Sequence, residues 1–356
     1  MNDTMAKAVT ERLLGWYGLH YRSLPWRQDP TPYRVWISEI MLQQTRIEAV
    51  LPYYERFMSV LPDVGALAAV SEDTLLKLWE GLGYYSRARN LQKAARLVME
   101  EYGGVLPADY DRLQALPGIG AYTAGAIASI AYGIPVPAVD GNVMRVLSRL
   151  TADSTDILTG AGKRRFTELA WQLVPQENPG RFNQALMELG ERICLPNTRP
   201  SCENCPLASL CEAHQQGSET AFPVRTPKKS RRIEQRQVVV VRVLGQPPRI
   251  LVHKRPDKGL LAGMWELPNA LREQSAALLP PQVASAAVCR GELPKGKHIF
   301  SHVEWHMQGM LYDMTATNLP PDYRAVTLEE LQTMYALPSA FRVYAAMLPQ
   351  LLEGVE

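Results

Sequence analysis

The chain has 356 residues, 46% of them hydrophobic, which is too long for one ordinary domain and enough for two buried cores. With 38 basic against 36 acidic side chains its net charge is +2, so bulk charge gives only a weak argument for binding a polyanion and nucleic-acid affinity must come from local patches. The opening stretch MNDTMAKAVTERLLGWYG has no long apolar run with a small-residue cleavage site, and no later segment approaches membrane-spanning length, which predicts a cytosolic, reduced chain with no membrane partner.

Up to about residue 216 the apolar residues recur at helical spacing, in Val35 to Met58, Leu75 to Leu82, Leu91 to Met99 and Phe166 to Leu173, with turn residues such as Leu61-Pro62-Asp63, Gly103-Gly104 and Pro135-Val136-Pro137 between the runs. An all-helical first domain follows. Within it Leu113 to Gly133 (LQALPGIGAYTAGAIASIAYG) predicts a short helix, a tight turn and a second helix rich in small residues. Gly118 and Gly120 would let the backbone approach a phosphate, and the N-terminus of the second helix offers unpaired N–H groups, as in a helix-hairpin-helix; a plain helical turn with a glycine cap is the competing reading. Such a hairpin holds the nucleic-acid backbone without selecting a sequence.

Farther on, Cys194, Cys202, Cys205 and Cys211 form a C-x7-C-x2-C-x5-C clamp after a helical run, Gly180 to Ile193. Four thiolates gathered in a reduced chain suit a soft metal or an iron–sulfur cluster, and the thiols by themselves do not separate a cluster from a zinc ribbon. Cys289 stands apart and reads as a small hydrophobe. The polar stretch Gly217 to Gln237 carries Arg225, Lys228, Lys229, Arg231, Arg232 and Arg236 and predicts an extended connector, either a solvated linker or a phosphate-facing patch. Beyond it Val238 to Leu244, Ile250 to His253, His298 to Met310 and Leu311 to Met314 read as strands, and Ser339 to Leu352 as a closing helix, giving an α+β second domain.

Leu24-Pro25-Trp26-Arg27, VWISEIMLQQT (Val35 to Thr45), GLGYYSR (Gly81 to Arg87), the hairpin, PAVDGNV (Pro137 to Val143), the clamp and Phe300-Ser301-His302 stand in an order that resembles the endonuclease III superfamily of DNA glycosylases, and within it the MutY branch acting on adenine opposite 8-oxoguanine. The resemblance implies a multidomain fold. An all-α helix-hairpin-helix glycosylase domain with an iron–sulfur cluster loop spans 1–216, with a six-helix module at about 25–135 and a cluster module from 1–24 plus 136–216. A basic linker at 217–236 leads to an α+β Nudix-like domain at 237–356. It further implies a monomer that binds double-stranded DNA and hydrolyses the N-glycosidic bond of adenine paired with 8-oxoguanine or guanine, with a 4Fe-4S cluster on Cys194, Cys202, Cys205 and Cys211. The first cysteine spacer departs from the usual six residues by one, and Pro196 and Pro200 lie in it.

Breaking that bond needs a proton for the leaving base and an anion for the emerging sugar cation. By resemblance Glu39 is the general acid and Asp140 the stabilising carboxylate, with Asn142 in the same catalytic group. Glu39 sits among Ile37, Ile40, Met41 and Leu42, so desolvation should raise its pKa toward neutrality, while Asp140 has a second reading as a helix N-cap. Tyr122 replaces the lysine of the bifunctional relatives, so lyase chemistry should be weak or absent, and its hydroxyl is expected near Asp140 or the base. Gln44 and Tyr84 match residues that enter the DNA stack, Arg27 and Gln184 match the adenine pocket, with Arg27 also suited to hold Glu39 or a phosphate, and Phe300, Ser301 and His302 match a reader of the damaged partner base. A bifunctional glycosylase/lyase and a non-catalytic cluster-bearing DNA-binding protein are the alternatives. A Nudix pyrophosphohydrolase is disfavoured because Asn269 to Leu279, where a metal-binding helix would carry paired glutamates, offers only Glu273.

Overall fold

The computed structural model describes residues 2–227, 230–315 and 318–353. The chain divides into two compact units, Met1–Ala69 with Asn90–Pro227 and Val70–Arg89 with Lys228–Glu356. Lys228 and Lys229 of the basic stretch lie outside the described residues.

The first unit is helical. Its N-terminal helix Asp3–His20, capped by the Asn2 side chain, buries Val9, Leu13 and Tyr17 against Val146, Phe166, Phe182 and Leu186 from helices that follow much later in the chain. The apolar run Val35 to Met58 is two helices rather than one, Pro32–Leu42 and Ile47–Val60. The break falls at Gln44, whose φ of 60° lies in the left-handed region and cannot continue a right-handed helix. Helix Ala121–Tyr132 is buried from Thr123 to Ser129, and its small residues are what allow this: a Cβ on Gly125 would lie 2.1 Å from the Pro137 carbonyl oxygen. Before it, helix Tyr110–Ala115 and a turn with Gly118 at φ +78° form the predicted hairpin.

The second unit is built on a mixed sheet: β1 Arg232–Val243, β2 Arg249–Lys254, β3 Trp265–Glu266, β4 Asn269–Leu271, β5 Val288–Ile299, β6 Val303–Met314 and β7 Tyr323–Val326. The order is β3-β2-β1-β6-β5, with β4 on β1 and β7 on β2, and the β1–β6 pairing is parallel. Residues 238–241 of β1 are four consecutive buried valines because both faces of the sheet are covered: Val238 and Val240 pack with Trp305, Met307 and Tyr344, and Val239 and Val241 with Leu251, Val283 and Met314. The segment Val70–Arg89 joins this unit through Lys77 Nζ, which donates to the Leu331 carbonyl at 2.9 Å, and Glu80 Oε1, which accepts from Leu337 N at 2.7 Å.

The structure corrects the sequence reading in four places here. The connector Gly217 to Gln237 ends early, since β1 begins at Arg232; Arg232 and Arg236 therefore stand in the sheet, with Arg236 bonded to Glu234 and Asn269 and lying 4.2 Å from the Trp305 ring centroid. The expected strand His298 to Met310 is interrupted by a turn at 300–302, and its partner β5 lacks apolar alternation because most of its side chains face solvent. The closing helix is broken into a 3-10 turn Ser339–Phe341 and short helices Arg342–Ala345 and Leu348–Leu352. Asn269 to Leu279 is β4 followed by a 3-10 turn, not a helix. Among the described residues no helix is long and apolar enough to cross a membrane.

Candidate active site and cysteine clamp

Helix Pro32–Leu42 is buried from Val35 to Met41, and this run includes Glu39, whose side chain reaches a cleft that Arg27, Gln44, Gly120, Tyr122, Asp140, Asn142 and Gln184 also line. Five separate segments deliver these groups. The Tyr122 hydroxyl, one residue into helix Ala121–Tyr132, donates to Glu39 Oε2, with the Met187 sulfur 3.2 Å away. Burial pushes the Glu39 carboxyl up to about 7; the Tyr122 bond opposes the rise, the Asp140 charge adds to it and Arg27 opposes it. The hydroxyl's bonded partner is the Glu39 carboxyl, while Asp140 is close enough for its charge to act on the phenol.

Asp140 is the N-cap of helix Gly141–Leu150. Its Oδ1 accepts from Val143 N at 2.8 Å and its Oδ2 from Asn142 Nδ2 at 2.9 Å. Burial raises its pKa too, while the Val143 N–H, the Arg145 charge and Asn142 hold it down. The two carboxyls thus face one cleft with different support, one donor side chain for Glu39 and a capped helix end for Asp140. The hydrogen bonds of Arg27 run to the pocket wall rather than to Glu39. Its Nη2 donates to Glu188 Oε2 at 2.9 Å and its Nη1 to the Arg22 carbonyl at 3.2 Å. Gln184 accepts the Tyr17 hydroxyl at 2.9 Å. Gln44 is exposed in its left-handed conformation, a backbone strain found typically at functional positions. Gly118 and Gly120 are exposed on the hairpin turn; Gly118 could not be replaced without shifting Asn90, whose Cβ would lie 2.6 Å from an added Cβ.

Cys194, Cys202, Cys205 and Cys211 line a second cavity together with Arg149, His214 and Glu219. Burial and the neighbouring thiols raise Cys202 to about 11 and Cys205 to about 12, so four thiolates there would repel one another unless a cation joined them. Arg149 Nη1 donates to Cys194 Sγ at 3.2 Å, and Arg145 Nε to the Cys194 carbonyl at 2.8 Å. Four converging soft donors with a hydrogen bond already aimed at one sulfur fit a metal or an iron–sulfur cluster. The seven-residue spacer is accommodated by a loop in which Asn197 takes φ 59° and Ser201 N donates back to the Ile193 carbonyl at 3.1 Å.

In the second unit Tyr84, 47% exposed and at φ 49°, meets Ser301 Oγ at 3.2 Å through its hydroxyl. Phe300 is anchored beneath by the rings of Trp305 at 4.9 Å and His298 at 4.5 Å, and its carbonyl accepts from Arg231 Nε at 3.1 Å. Ser301 and His302 are exposed at the tip of this turn.

A family model for the HhH-GPD superfamily of base excision DNA repair proteins matches residues 37–176, and a NUDIX domain model matches 238–347. The adenine DNA glycosylase of Mus musculus is 38% identical over 404 aligned residues, covering 95% of this chain and 78% of its own. The chain belongs to the adenine DNA glycosylase family. The adenine DNA glycosylase of Buchnera aphidicola (subsp. Schizaphis graminum) is 35% identical over 265 residues, covering 73% of this chain and 74% of its own. Among solved structures, a thermostable thymine-DNA glycosylase aligns at 29% identity with a TM-score of 0.54, over 60% of this chain and 98% of that one.

Around the candidate cleft the structure adds residues that sequence reading passed over. Arg145 Nη2 donates to Asn142 Oδ1 at 2.8 Å and to the Gly190 carbonyl at 2.7 Å, tying the helix behind Asp140 to the run before the clamp. Glu188 and Arg22 form the charged wall behind Arg27. Arg145 and Glu188 are buried charges in helices that pattern as ordinary amphipathic ones, so the signal available was a charge at a position the helical period assigns to the core.

Proposed function

We propose that the chain excises adenine paired with 8-oxoguanine, and with guanine, from duplex DNA by hydrolysing the N-glycosidic bond and leaving an abasic site. The observation that carries this reading is the pairing, in one cleft, of a carboxyl raised to about 7 with a second carboxylate braced by a helix N-terminus. Glu39 delivers its proton to N7 of the extruded adenine, the C1′–N9 bond breaks with its electron pair leaving on the base, and Asp140 steadies the oxocarbenium-like sugar. Water then adds at C1′ and returns a proton to the Glu39 carboxylate. Tyr122 is no amine nucleophile, so no Schiff base forms at that position.

The hairpin glycines take the phosphate backbone, Gln44 and Tyr84 fill the stack vacated by the base, and Arg27 and Gln184 line the adenine pocket. The Phe300-Ser301-His302 turn reads the damaged partner, with Ser301 poised by Tyr84. The four cysteines would hold a 4Fe-4S cluster, which would anchor the 196–210 loop, and the hydrolysis itself needs no electron.

The deciding experiment is single-turnover base release from a duplex with adenine opposite 8-oxoguanine. Wild-type protein should release adenine and form no borohydride-trapped adduct, and Glu39→Gln should bind the duplex yet react roughly 10²- to 10⁴-fold more slowly. Wild-type rates from Glu39→Gln, or a trapped covalent adduct, would refute the reading.

A further inference from the structure

A charged cluster stands behind the pocket wall that the reaction as written does not use. The Glu188 carboxylate, 1% exposed on helix Pro179–Arg192, accepts from Arg22 Nε at 2.6 Å and Nη2 at 3.0 Å and from Arg27 Nη2 at 2.9 Å, and Arg192 Nη1 lies at 3.6 Å. Burial works against its charge, but the bonds from Arg22 and Arg27 outweigh that and hold its pKa below the usual range, so it is an anion. Of the three arginines around it, Arg27 is the one that lines the cleft. A guanidinium there, released from Glu188, would have the other carboxylates of the cleft to turn to, Glu39, Asp140 and Glu191.

We propose that Glu188 is a positioning residue for the glycosylase reaction: by clamping Arg27 to the pocket wall it fixes the place of that guanidinium and offsets its charge, so that Glu39 is left able to carry a proton. This rests on Glu39 being the proton donor. Glu39 is faced by Tyr122 from helix Ala121–Tyr132, by Asp140 from the start of helix Gly141–Leu150 and by Arg27 from the Pro25–Gln28 turn. Arg27 draws it toward the carboxylate form, and Glu188 tempers that pull. Without the Glu188 charge Arg27 acts unopposed, Glu39 ionises at lower pH, and the alkaline limb of the rate profile moves down. Without Arg22, Glu188 is left to Arg27 and to Arg192 at 3.6 Å, its charge bears more fully on Arg27, and the limb moves up.

The test is the pH profile of single-turnover adenine release from the 8-oxoguanine duplex for the full chain, Glu188→Gln and Arg22→Met, each checked by circular dichroism at every pH. The expected displacements are downward by roughly half to one pH unit for Glu188→Gln and upward by a smaller amount for Arg22→Met. A uniform loss of rate with both limbs unmoved would make Glu188 a structural residue and overturn the proposal. If Glu188→Gln does not fold, Arg22→Met decides alone, and a limb that stays in place overturns it. Activity of Glu39→Gln with an unaltered profile is a different failure, that of the proton donor itself.

Discussion

The Tyr122 hydroxyl donates to the Glu39 carboxylate, joining the first turn of one buried helix to the middle of another across 83 residues of chain. A donor on a carboxylate favours its charged form, so this bond restrains the rise that burial imposes on Glu39. Removing it should let Glu39 hold its proton to higher pH. In Tyr122→Phe the alkaline limb of single-turnover adenine release is expected to move upward from about 7, opposite in sign to the Glu188→Gln displacement, and a limb unmoved or moved downward would contradict the assignment.

Glu39 also taxes the fold. Its carboxyl is raised from 4.5 in the open chain to about 7 in the folded one, so folded protein binds the extra proton between those values. Its contribution to stability is complete below about 4.5 and is lost as pH rises through about 7, where both states are ionised and the folded one carries the desolvation. Glu39→Gln should therefore be more stable than wild type at pH 8, by about 3 kcal/mol, with the advantage gone near pH 4.5. Thermal melts at the two pH values check this.

Gly190 packs against the residue after next from Asp140: a Cβ there would lie 2.7 Å from Asn142 Cβ and 3.2 Å from its Cα and carbonyl oxygen. Gly190→Ala must displace the first turn of the helix that Asp140 caps. The expected result is a slower single-turnover rate with duplex affinity kept, and a stability loss of about 1–3 kcal/mol in urea titration.

The clamp gives a prediction with its own readout. Cys205→Ala leaves three thiols and is expected to yield protein with less bound iron per chain than wild type and a lower melting temperature. Iron content equal to wild type would remove Cys205 from the ligand set.

Tyr84 and Ser301 share a hydrogen bond of 3.2 Å at the exposed turn. Tyr84→Phe keeps the ring for stacking and frees Ser301, so its preference for 8-oxoguanine over guanine as the partner base should fall by roughly 2- to 10-fold, the worth of one hydrogen bond, while cleavage of the preferred pair changes less. Equal losses on both duplexes would separate the bond from discrimination.

The sequence by itself determined the helical and sheet-bearing halves, the hairpin with Gly118 and Gly120, and the gathering of four cysteines, because helix period, β-branched runs, glycine conformations and ligand spacing are local properties written along the chain. It also marked Glu39 and Asp140 as a pair, through motifs short enough to be read in place. Tertiary structure alone decided what those carboxyls touch. Tyr122 serves Glu39 rather than Asp140, Arg27 is taken by Glu188 from 161 residues away, and Arg232 and Arg236 of the expected linker belong to β1, because β6 and β4 complete its pairing. A side chain's partner, and with it a carboxyl's hold on its proton, depends on which distant elements are packed beside it, and packing is settled by burial of the whole chain rather than by any local spacing.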